Sequence, residues 1–132
     1  MANYYTQFSF EVSAPSEEAV TWLAEALATA DADNENGGLG FEWENSTPVV
    51  LWIHTDENGD LEQLADIVGE YLQKFDPEKS VVVEWANTCS KPRTDGFSGG
   101  AMVVTAHRVH WMHTSEWVNT TLKALKQITG VT

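Results

Sequence analysis

The stretch Val49–Phe75, VVLWIHTDENGDLEQLADIVGEYLQKF, changes its apolar period in the middle, and that change decides the fold. Val49–Thr55 is apolar on both faces, which suits a central strand covered on two sides. Asp56–Gly59 (DENG) is a turn. Asp60 then stands at a helix N-cap, with Gln63 in the capping-box position. Leu61, Leu64, Ala65, Val68, Leu72 and Phe75 follow at helical spacing and stop before Pro77. Asp56–Asp60 has part of a calcium-loop pattern, but Leu61 stands where the sharp turn needs Gly and Ile67 where the loop needs a bidentate Glu, so it reads as turn and cap.

Working outward toward the N-terminus, Leu39, Phe41 and Trp43 alternate with Glu42 and Glu44 and predict a short strand that Thr47-Pro48 ends. Ala32–Gly38 is a polar loop. Ser16 opens a helix running to about Ala30, with Val20, Leu23, Ala24 and Leu27 inward and Glu17 and Glu18 near the positive end of its dipole; Trp22 falls off that stripe. Tyr4–Val12 alternates as a strand with one buried side. Toward the C-terminus, Ser80–Thr88 and Ala101–Ala106 read as a hairpin and Arg108–Met112 as a further short strand. A last helix, about Ser115–Ile128, places Val118, Leu122, Leu125 and Ile128 on one side, with Trp117 counted as core. The expected fold is one α+β domain over 1–132. Its core is a ferredoxin-like βαββαβ unit, a largely antiparallel sheet with two helices on one face, extended by one or two strands and a C-terminal helix. That final helix is expected to cover part of the other sheet face, where Val50 and Trp52 are apolar.

Charge is divided unevenly along this chain. Residues 1–73 hold 15 Asp and Glu and no Lys or Arg, whereas 74–132 hold 5 acids and all 7 bases; the formal charges of −15 and +2 make up the net −13. With 42% hydrophobic residues and six Trp, this is not a disordered acidic tail. One cysteine permits no internal disulfide, and no apolar run approaches a membrane span. With no secretory signal pattern, a reducing cytoplasm is expected. The acidity excludes non-specific binding to nucleic acid or to anionic membranes, since phosphate contacts need Lys and Arg. A basic protein surface, such as that of a nucleic-acid-binding protein, is the expected partner.

The residues that would meet such a partner are Glu62, Asp66 and Glu70, one per helical turn, roughly 6 Å apart by helix geometry and close to the ~7 Å between phosphates of a strand. Glu17, Glu18 and Glu25, with Asp31 and Asp33, join them if both early helices share a sheet face. A solvated face serving solubility is the competing reading; the absence of bases over 73 residues favours the first, because ordinary surface helices mix signs. A second candidate is the loop with Cys89, Lys91, Arg93, Asp95, Gly99 and Gly100, where a ligand could meet backbone N–H groups. It lacks phosphate-loop spacing. The third is His107, His110 and His113. On a strand His110 points opposite to the other two, so no metal site is expected, and no cofactor. A homodimer through an open sheet face carrying Trp52 and Trp111 is a further alternative.

Four segments together resemble a known group: Asn3-Tyr4-Tyr5, Leu51-Trp52-Ile53 running into Glu57-Asn58-Gly59-Asp60, Trp85–Arg93 (WANTCSKPR), and Gly99–Thr105 (GGAMVVT) with Trp111-Met112 after it. The group is the small acidic uncharacterised proteins of proteobacterial phages, plasmids and their hosts. The resemblance spans most of the chain and implies a mobile-element setting, in which such proteins block host defence or DNA-handling machinery. It carries over no catalytic residues.

Overall fold

The computed structural model describes residues 2–34 and 37–129. Its elements are β1 (Tyr4–Ser13), α1 (Glu17–Asp33), β2 (Glu42–Thr47), β3 (Val50–Thr55), α2 (Leu61–Phe75), β4 (Val81–Cys89), β5 (Ser98–Val104), β6 (Val109–His113) and α3 (Thr114–Thr129). The fold is α+β. One antiparallel six-stranded sheet runs in the order β2-β3-β1-β4-β5-β6, with three helices among the described residues.

Strand alternation sorts the sheet into two faces. Phe8 and Val12 of β1, Leu51 and Ile53 of β3, Val83 and Trp85 of β4, and Met102 and Val104 of β5 are buried on one side. There they meet Val20, Leu23 and Leu27 of α1 and Leu64, Val68 and Leu72 of α2 in a single core. Both helices start as the sequence predicts. The Ser16 hydroxyl accepts from the Ala19 N–H at 3.1 Å, and the Asp60 carboxylate accepts from the Gln63 N–H at 3.0 Å and from its side-chain amide at 2.8 Å. Trp22, off the main apolar stripe, packs edge-on against Phe75 with ring centroids 5.8 Å apart and so closes the α1–α2 contact.

Three sequence expectations are corrected. Helix α1 continues past Ala30 to Asp33; Glu35 and Asn36 of the expected polar loop lie outside the described residues. Leu39 and Phe41 are buried but lie outside the strand, which begins at Glu42, because Gly37, Gly38 and Gly40 all have positive φ and turn the chain through the left-handed region. Gly40 has a second reason to be glycine, since a Cβ there would collide with the Asn58 carbonyl. Third, α3 does not cover the far sheet face at Val50 and Trp52; it contacts β5 and β6. Trp117 is not core but 63% exposed. On the far face Trp52 is held instead by stacking on His54 at 3.7 Å and by donating to the Ser9 hydroxyl at 2.8 Å.

Two features of α2 make predictions about stability. Gly69 lies mid-helix, and a Cβ built there would meet only ordinary van der Waals neighbours, the nearest being Val104 at 3.9 Å. Gly69→Ala is therefore expected to raise stability by about 0.5–1 kcal/mol in denaturant melts, because alanine restricts the unfolded chain at no steric cost. Tyr71 is buried, and its hydroxyl has no hydrogen-bond partner among the described residues. Burial first, and the nearby Asp76 carboxylate second, push its pKa up to about 12 from an ordinary 10.0. Below pH 10 the phenol is neutral in both states. As pH rises from 10 through 12 the unfolded chain ionises first, so the folded state loses stability over that window. Tyr71→Phe should remove this part of the alkaline loss, as measured by melts across that range, and should not destabilise the protein at neutral pH.

Candidate functional site

The acidic helix surface follows from α1 and α2 sharing one sheet face and packing side by side. Each helix buries its apolar stripe and turns its carboxylates outward; Glu17, Glu18, Glu25, Glu62, Asp66 and Glu70 are all exposed. Between the helices runs a shallow groove in two parts. One part, about 460 Å³, has Glu25, Asp33 and Glu70 at its rim and Trp22, Ala26 and Ile67 in its floor. The other, about 390 Å³, brings Glu17, Glu18 and Glu25 together with Lys74, the one base on this surface. Five carboxylates from two helices thus converge on an apolar floor.

Not every predicted acid joins this groove. Asp66 is exposed on α2 between the turns of Glu62 and Glu70 but lines no depression. Glu62 faces the other way, into a depression of about 550 Å³ beside Trp111, His113 and Glu116. Asp31 is half-buried and partly committed to structure, its carboxylate accepting from the Leu39 N–H at 2.8 Å. Among the described residues the one ion pair is Glu44 with His54, 3.8 Å apart. Among the described residues the acids of α1 and α2 therefore have no cationic partner at ion-pair distance.

A further acidic concavity of about 580 Å³ escaped the sequence reading. Its walls are Phe8, Phe41, Trp52 and His54, and Glu42, Asp56 and Glu57 line it as well. These residues come from three strands and two loops. The sequence signal for it was the cluster Gly37-Gly38-Leu39-Gly40, whose glycines have positive φ and lead Phe41 into the core, with Gly37 and Gly40 in the wall of the concavity. Carboxylates beside aromatic faces suit an ammonium or guanidinium group.

The alternative loop is smaller than the sequence suggested. Gly99 and Gly100 lie within β5, paired with Ala86 and Trp85 of β4, and they are not part of the turn. Cys89 closes β4 half-buried against the buried Gly96, while Lys91, Arg93 and Asp95 are exposed. Asn3 and Ser90 tie the loop's start to the N-terminal strand through two 2.8 Å hydrogen bonds. Tyr4 sits beside this loop, its pKa raised by partial desolvation first and by the nearby Asp95 and Cys89 next. Of the histidines, His54 lies in β3, His107 in the β5–β6 turn, His110 on the open sheet face, and His113 on the helix side, 5.3 Å from the Trp85 ring. Among the described residues no three His, Cys, Asp or Glu side chains are placed to hold a metal ion. Trp111 also lies on the helix side, 5.9 Å from Trp85, so it does not share the open face with Trp52. No described helix is long and apolar enough to cross a membrane.

Comparison with known proteins gives no relative: no protein-family model, no curated protein and no solved structure matches the chain.

Proposed function

We propose that this chain is a non-enzymatic, cytoplasmic binding protein that occupies a basic surface of a protein partner, with the α1–α2 carboxylates standing in for the phosphates of a nucleic acid. The observation that carries the reading is the groove itself: Glu17, Glu18, Glu25, Asp33 and Glu70 share an apolar floor with a single base, Lys74. Surface helices that serve only solubility gain from mixing signs at i+4, and among the described residues of α1 and α2 the spacing occurs once, at Glu70 and Lys74. A protein that binds duplex through Lys and Arg would find clustered carboxylates in place of phosphates and an apolar strip where base edges or sugars would lie. Inhibition of host defence or DNA-handling machinery by a mobile element is the setting in which such mimicry acts.

The scaffold reading belongs with this proposal. We take β1-α1-β2-β3-α2-β4 to be a ferredoxin-like unit, which the contiguous run β2-β3-β1-β4 within the sheet supports, with β5, β6 and α3 as additions at the β4 edge. The test is affinity capture from host lysate at low and moderate salt, followed by competition of the recovered protein with duplex DNA. A basic nucleic-acid-binding protein that this chain displaces from DNA, with affinity falling as salt rises, is the expected result. A partner whose binding ignores salt and fails only when Lys91 and Arg93 are replaced would move the site to the β4–β5 loop.

A further inference from the structure

Helix α3 presents an apolar surface that stays largely exposed. Trp117, Val118, Leu122, Leu125 and Ile128 lie along one side of it and are 63, 45, 52, 50 and 80% exposed. An isolated helix of this length is marginal in water, and amphipathic helices owe most of their stability to packing of the apolar face. The same chain has an unused counterpart. α1 and α2 cover one side of the sheet, and the other side over β4–β6 carries Val82, Ala86, Ala101, Val103 and Met112, with Val82 and Met112 53 and 47% exposed. The domain thus has a helix whose apolar side stays exposed and a sheet face without a helix.

We propose that a second copy of this chain supplies both, α3 of each copy lying across the open β4–β6 face of the other in a two-fold dimer. Reciprocal exchange satisfies both surfaces with one interface and closes without leaving a free site, as isologous contacts do. Charge favours this occupant. Contact through 74–132, which carries +2, keeps the −15 of residues 1–73 on the outside of the pair. Glu84 is the acid on the open β4–β6 face, and Lys126 borders the apolar stripe of α3, so the two sides are complementary. A 16-residue helix is about 24 Å long and about 10 Å across, and exchange doubles its footprint. That brings the contact to roughly 480 Å² per partner, the size of a weak, reversible interface. The dimer does not depend on the basic-partner reading; it would present two acidic grooves facing away from the contact.

Sedimentation equilibrium of the full chain from low micromolar to submillimolar concentration tests this, with far-UV circular dichroism confirming that each variant is folded. The expected result is a species of twice the 14.6 kDa chain mass. It should be lost in Leu122→Glu and, separately, in Val82→Glu, and weakened by Glu84→Lys or Lys126→Glu but restored when both exchanges are present. A monomer throughout the range overturns the proposal, as does a monomer that sediments with phosphatidylglycerol vesicles, which would assign α3 to a lipid surface. A dimer that survives Val82→Glu but not Leu122→Glu overturns it too, because α3 would then pair with α3.

Discussion

Replacing Glu62, Asp66 and Glu70 together by lysine is expected to weaken binding to a basic partner by about 10³-fold while moving folding stability by no more than about 1 kcal/mol. The three reversals change the net charge from −13 to −7 and set like charges opposite the partner's Lys and Arg. Each such juxtaposition costs on the order of 1–2 kcal/mol, and every 1.4 kcal/mol is tenfold in affinity. Stability should hardly change because, among the described residues, none of the three is within ion-pair distance of a base. The losses are small: a lysine at Glu62 forgoes the favourable place of an acid in the first turn of α2, worth about 0.3–1 kcal/mol. Repulsion at i+4 within the row persists with its sign changed, while attraction to the acidic remainder of the domain rises. Isothermal titration at two salt concentrations reads the affinity and thermal melts read the fold. The neutral set Glu62→Gln, Asp66→Asn and Glu70→Gln should fall between wild type and the lysine set. Because Glu70 stands at the rim of the α1–α2 groove, unchanged affinity in the lysine set would end the acidic-face reading.

The same row shows where sequence reasoning succeeds and where it stops. That Glu62, Asp66 and Glu70 share an exposed edge followed from the helical period alone, because the Leu64, Val68 and Leu72 stripe had to face inward. That Glu70 and Glu25 share a groove did not follow, since it depends on how closely α1 and α2 approach; nor did the turning of Glu62 toward Trp111, which depends on where β6 ends up. Periodicity likewise found the apolar stripe of α3 but could not say what covers it, so Trp117 was counted as core when the domain leaves it in solvent. Leu39 and Phe41 alternate as a strand would, yet three glycines at positive φ carry them into the core by a different path. The concavity around Trp52 was missed for a related reason: Phe8, Phe41 and Trp52 are far apart in the chain and meet only through the pairing of β1 with β3 and the turn that carries Phe41 onto Phe8.

Gly100→Val is expected to cost about 3–5 kcal/mol and to lower the melting temperature by roughly 10–20 °C. Read from the sequence, Gly99-Gly100 ended a flexible loop; in the fold Gly100 is a strand residue paired with Trp85 on one side and His113 on the other. A Cβ at this position would collide with the Trp85 ring and with the Met112 carbonyl at once. Neither can yield cheaply. The Trp85 ring is buried and packed against Trp111 and His113, and the Met112 carbonyl belongs to the neighbouring strand β6. Moving the indole forfeits packing of the size lost in a Trp truncation, while moving β6 loosens the pairing that anchors α3, which follows His113 directly. The contrast with Gly69 makes the expectation specific. Alanine at Gly69 meets only ordinary van der Waals contacts and should stabilise, whereas alanine at Gly100 should already destabilise and valine should do so further. Chemical denaturation of the three variants beside the wild type checks the order. Equal effects at the two glycines would mean that the Trp85–Gly100 contact does not hold β5 and β6 together, and with it would go the rigid attachment of α3 on which reciprocal docking relies.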